Sequence, residues 1–313
     1  YSADDPGAVS VSFGAVEVLG SATFERTVRV VNHGDRTVTY RPSVDMFVRI
    51  PGLEYSFPDG DVTVPAGGSA TFRVLLTADA SQMRATHDPT VDEAQAGYLR
   101  QWLPEHSGVI LLTPVNDAPG ARATLRVPVW VTARPAADVR TEEESLSFTQ
   151  ATELGWLSLT GTGLATGGQS PYDYNAIVTP FELYHVGTVD SLDKAEGIGA
   201  SAIPAVLQYV GVTTDYMGIV YNGYPRTYSI LYFGIAAHAD WSIPSEEVYY
   251  VVEIKPQGTD QTYYVFNTRA VSSGGDILDV PLICIESLTT RCHPYPNGFT
   301  PDFQTGLFNN NVM

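Results

Sequence analysis

The chain has 313 residues, 44% of them hydrophobic and 17% charged, so it can fill the cores of two ordinary domains and is not disordered by composition. Its 17 Lys and Arg stand against 35 Asp and Glu. The resulting charge of −18 excludes a nucleic-acid binder, whose phosphate contacts need basic surface, and a protein that docks on anionic lipid. Few lysines with abundant Tyr, Gly and Pro fit an extracellular β protein. The sequence holds no signal peptide and no apolar run of transmembrane length, and its ends at Tyr1 and Met313 read as cuts in a longer protein.

Taken in order, residues 9–13, 25–31, 37–41, 61–64, 69–77, 108–113 and 123–132 carry strand signals, most of them alternating. In the fifth, Ala70, Phe72, Val74 and Leu76 fall on one face. Asn32-His33-Gly34-Asp35 and Pro65-Ala66-Gly67-Gly68 supply turns. Residues 90–103 interrupt the pattern as a short helix or a loop. The charged, Pro-containing run at 134–144 reads as a linker with the boundary near residue 140. Beyond it, residues 145–148, 157–159, 205–212, 229–236, 248–254, 262–267 and 277–285 are strand-like, and Pro180 marks 176–184 as an edge or an irregular strand. The expected architecture is all-β: two antiparallel β-sandwich domains, 1–139 and 147–313, joined by 140–146.

No reaction centre is legible. The sequence has no Gly-x-Ser-x-Gly, no Gly-Thr-Ser and no His-Gly-Thr. His33, His87, His106, His185, His238 and His293 sit in no motif with a Ser or Cys partner, so a role without catalysis is expected. Asp190, Asp193 and Glu196 form an acidic cluster with two readings, a calcium site or a solvated loop. His238 and Asp240 are two ligand-type side chains two apart, or the polar end of a strand beside Trp241. Tyr221, Tyr224 and Tyr228 flank Asn222-Gly223 and Pro225-Arg226, which reads as an exposed aromatic binding patch or as a hairpin turn with core tyrosines. Cys284 and Cys292 are either a disulfide closing a short loop in an exported protein or two reduced thiols.

Several stretches occur in a telling order: residues 24–32 (Phe24 to Asn32), 64–74 (Val64 to Val74), 107–113, 125–128 and 133–137. On them, the first half resembles the fibronectin-III-like domain that follows the catalytic domain of large secreted subtilisin-like serine proteases. Residues 157–163, 178–183, 209–212, 232–236, 241–246, 266–268 and 308–313 are similar to a further C-terminal module of bacterial subtilases. The resemblance implies a secreted protein, an upstream protease domain as partner, protein or peptide substrate, and no catalytic residue in this chain. Modules of this kind often carry an Asp-rich calcium turn. Here that turn, residues 255–261, has a single acid, Asp260, so no calcium is implied there and no other cofactor is expected.

Overall fold

A computed structural model describes the chain except at residues 6, 87, 96, 101–103, 116–122, 150–154, 167–172, 177, 189–205, 239–248, 288–292 and 297–313. The fold is all-β, built from β-sandwich sheets. The strands are β1 (Val11–Val18), β2 (Ser21–Val31), β3 (Val38–Val48), β4 (Leu53–Ser56), β5 (Val62–Val64), β6 (Ser69–Asp79), β7 (Ala94–Gln95), β8 (Tyr98–Leu99), β9 (Glu105–Pro114), β10 (Leu125–Pro135), β11 (Asp138–Thr141) and β12 (Leu159–Thr162). They continue with β13 (Glu182–Val186), β14 (Leu207–Thr214), β15 (Leu231–Ala237), β16 (Val251–Ile254), β17 (Tyr263–Val271), β18 (Ile277–Ser287) and β19 (His293–Pro296). One short helix, α1 (Tyr216–Tyr221), lies between β14 and β15.

Two compact units divide the chain: Tyr1–Val91 with Pro104–Ala176, and Asp92–Leu103 with Ile177–Met313. In the first, the sheet β1-β10-β9-β3-β5 faces the sheet β2-β6-β4. Period-two alternation drives this. Phe72, Val74 and Leu76 of β6 and Val28 and Val30 of β2 turn inward, and they belong to one core with Val11, Ile110, Leu112, Val129 and Val131 of the facing sheet. Each such side chain contributes roughly 1.5–3 kcal/mol by leaving water. Not every pair is antiparallel: β1 runs parallel to β10, with Val11 opposite Val129 and Val18 opposite Pro135.

The expected linker is not one. Arg134 lies on β10 with its side chain buried and ion-paired to Glu17, and Asp138–Thr141 pairs with Leu159–Thr162 as β11 and β12. The unit boundary falls after Ala176 because the segment behind β12 folds back. Tyr174, 3% exposed, enters the first core beside Leu164. Ala165 bridges Asn175, and Asp173 meets Arg84 at 3.1 Å. Charge and a Pro suggest a linker only while their partners are unseen. Among the described residues of 90–103 the chain forms the hairpin β7–β8, which belongs to the second unit.

In the second unit the sheet β13-β14-β15 and the sheet β16-β17-β18-β19 meet where Ile235 of β15 packs with Tyr250 and Val252. Asn267 Oδ1 accepts the Tyr250 N–H at 2.7 Å, and burial pushes the Tyr250 phenol up to about 12. The strand, turn, strand pattern read at 248–267 appears as β16 and β17, with Ile254 opposite Tyr263. Residues Glu182–Val186, read near Pro180 as an edge, form the outer strand β13, exposed throughout.

Two buried groups generate tests. The Tyr174 hydroxyl has no hydrogen-bond partner, so Tyr174→Phe is expected to keep or slightly raise stability, whereas Tyr174→Ala should cost about 3–5 kcal/mol by leaving a cavity. Urea unfolding of both variants checks this. His106, 1% exposed, accepts the Ile50 N–H through Nδ1 at 3.0 Å, and the Tyr55 hydroxyl donates to its carbonyl. Burial, with the Arg49 charge second, lowers its pKa from 6.5 to about 4. The unfolded chain therefore takes up a proton that the folded chain refuses as pH falls from 6.5 toward 4. The His106 contribution should lower stability across that window by roughly 3 kcal/mol, at ~1.4 kcal/mol per pH unit, and should itself level off below it. Unfolding curves of the protein and of His106→Asn across this range check it; the decline should be smaller in the variant.

Candidate functional site: the tyrosine loop

β14 and β15 form an antiparallel pair, with Thr214 opposite Leu231, and the residues between them project from its end. A short polar neck closes this loop. Asp215 Oδ1 accepts the Ile230 N–H at 2.7 Å. Thr214 Oγ1 donates to the Ile230 carbonyl at 2.8 Å and accepts the Tyr216 N–H at 3.2 Å.

Six residues are too few for a helix that stands alone, so α1 depends on its ends. Its C-terminus carries a complete Schellman motif. The Tyr224 N–H donates to Ile219 O and the Gly223 N–H to Val220 O, both at 3.0 Å. Gly223 has φ of +75°, which a side chain at this position would strain. Asn222 Nδ2 adds a bond to Gly218 O at 2.8 Å. A 3-10 turn at Arg226–Tyr228 follows Pro225 and returns the chain to the neck. Arg226 lies over the Tyr216 ring, 5.9 Å from its centroid.

The consequence is display. Tyr221 is 85% exposed, Tyr224 59% and Tyr228 63%, beside exposed Met217 and Ile230, and no residue of α1 is buried. Asn222-Gly223 is thus a helix stop, not a hairpin turn, and the tyrosines are not core. Phenol faces held on a fixed backbone offer flat apolar area with a hydroxyl at the rim and lose little rotamer freedom on contact. The arrangement suits stacking against sugars or peptide side chains.

The structure brings Tyr221 and Tyr224 together in this loop. Trp241, Asp190, Asp193, Glu196, Asp240 and Cys292 lie outside the described residues. Cys284 is fully buried on β18 and disulfide-bonded; the sequence holds one other cysteine, Cys292. His238 faces the Gly187 carbonyl at 3.2 Å. Among the described residues no group of three or more His, Cys, Asp or Glu is placed to hold a metal ion. A second aromatic display was missed. Trp156 is 89% exposed, in the first unit, beside exposed Phe148, whose ring lies against the backbone of Gly155. Gly-Trp followed by alternating Leu157 and Leu159 was the signal in the sequence.

No family model matches the sequence, and no curated protein matches it either. Among solved structures, a PapD-like domain of human CEP192 is 12% identical, with a TM-score of 0.26, covering 41% of this chain and 83% of that one. The CupB2 chaperone of Pseudomonas aeruginosa is 16% identical at a TM-score of 0.22, over 41% of this chain and 54% of its own. A putative carbohydrate binding protein from Bacteroides ovatus is 11% identical at 0.25, over 92% and 68%. These likenesses concern the β-sandwich fold alone.

Gly223→Ala is expected to destabilise the loop by about 1 kcal/mol, because Ala pays a steric penalty at positive φ. Hydrogen exchange at the Tyr224 and Gly223 amides should accelerate severalfold while β14 and β15 amides keep their protection.

Proposed function

We propose that this chain is a non-catalytic β-sandwich accessory region of a secreted subtilisin-like serine endopeptidase, which contacts protein substrate or a surface through the tyrosine loop. The ordered resemblance of stretches such as Phe24 to Asn32 and Val64 to Val74 carries the protease assignment. The neck-held display of Tyr221, Tyr224 and Tyr228 carries the contact role. In this reading the upstream protease domain is the partner of the region, which stabilises that domain and helps it engage large substrates.

The test joins the chain to such a protease domain and compares it with the domain alone. The region should raise the melting temperature by several degrees and increase turnover of intact proteins while leaving short peptide substrates unaffected. Tyr221→Ala with Tyr224→Ala should remove the protein-substrate gain and keep the thermal gain. An unchanged melting temperature together with unchanged protein turnover would overturn the assignment.

The same exposed tyrosines favour a second reading, a stand-alone surface module that binds carbohydrate or protein. It expects micromolar binding to a member of a glycan and matrix-protein panel, weakened about tenfold or more by the two substitutions, a decade being ~1.4 kcal/mol. Silence across the panel counts against it.

A further inference from the structure

The first unit carries a cleft built from its own residues. Its volume is about 770 Å³, within the range of ligand sites. The start of β2, the β3–β4 turn, the start of β4 and the end of β6 line it, with Gln82 from the following 3-10 turn. The turn is pressed flat against its neighbour. Gly52 has φ of +81°, and a Cβ there would come within 2.6 Å of the Asp79 carbonyl. The Asp79 N–H donates to Gly52 O at 2.9 Å, and Ile50 is tied to His106. The walls are therefore set before any ligand arrives.

Charge decides what the cleft offers. Asp79 stays ionised: its carboxylate accepts from Ser81 N, Ser81 Oγ and Gln82 Nε2, these bonds, Ser81 first, hold its pKa below the usual carboxylate range, and with Glu54 it sets negative charge on the lining that favours a basic ligand. Arg41, Arg73, Arg84 and Arg134 each have a carboxylate partner. Arg49, on the cleft wall, has no ion pair among the described residues, and neither has Glu54 across the turn. A free guanidinium is matched to a carboxylate by its paired donors. Beside it, Ile50, Leu53 and Ala78, each 4% exposed or less and part of the core, form the apolar floor of the cleft. β4, which begins at the cleft, is the outer strand of its sheet.

We propose that this cleft captures the C-terminal carboxylate of an extended basic peptide. The carboxylate sits on Arg49 and an apolar last side chain lies toward Ile50, Leu53 and Ala78. The preceding residues add to the edge of β4, and a Lys or Arg among them faces Glu54. The basic character follows from charge complementarity: a chain at −18 repels an anionic ligand unless that ligand also brings positive charge. Strand addition with terminal carboxylate capture is an established combination of physical forces.

The test is fluorescence anisotropy of the full chain against a labelled pool of short Lys-containing peptides ending in Val, Leu or Phe, made as free acids and as C-terminal amides. The free acids should saturate in the micromolar range. The amides, and the free acids on Arg49→Gln, should bind at least about tenfold more weakly. Arg49→Lys should fall between. Equal binding of acid and amide, indifference to Arg49→Gln in a protein with unchanged melting temperature, or no saturation at millimolar protein would each overturn the proposal.

Discussion

The apolar seam between the two sheets of the first unit is the constraint on which the rest depends. Phe72, Val74 and Leu76 alternate along β6 against Val28 and Val30 of β2, and all reach the core shared with Ile110, Leu112, Val129 and Val131. That seam fixes the register of β2 on β6 over Ser21 to Val31, since a slip of one residue would expose every one of these side chains. With register fixed, the β3–β4 turn must close on the end of β6, which builds the Arg49 cleft, and Tyr174 finds its slot. The exposed pairs Arg41–Asp61 and Arg73–Asp59 decorate the seam and each contribute about 0–1 kcal/mol.

Much of this was legible from alternation alone. β2, β6, β9, β10 and the β16–β17 hairpin stand close to where their apolar periodicity placed them, because side chains of period two have one stable disposition once a face is buried. The reading failed where a residue's meaning depends on a distant partner. Arg134 looked like linker charge and is a buried ion pair with Glu17, far away in sequence. Tyr174 ends a stretch with no strand periodicity, yet it fills the core. β4 was missed because four residues around Glu54 carry too little pattern, and α1 because its stability comes from the cap and the neck rather than from its sequence.

The candidate site was legible as residues and not as shape. Tyr221 and Tyr224 stood out by type and spacing, but Asn222-Gly223 serves a hairpin turn and a helix C-terminus equally well in one dimension. The bond from Tyr224 N–H to Ile219 O separates the two, and with it the outward display follows. Arg49 gave no signal at all. An unpaired arginine is defined by what does not surround it, which only packing reveals.

The parallel run of β1 on β10 has a mechanical consequence. The segment before β1 is tied to β2, through Ala3 N–H to Thr27 O and Arg29 N–H to Tyr1 O, while β1 itself lies along β10 on the other sheet. A pull on the first strand and on the chain leaving the unit stretches the β1–β10 ladder along its own length. Hydrogen bonds loaded this way share the force and break together, whereas a hairpin peels open one rung at a time. Before that ladder feels tension, the fold-back that seats Tyr174 must give. The first unit therefore carries latches in series, small ones in the fold-back and the β11–β12 pair that yield early and a stiff one in the β1–β10 ladder that holds.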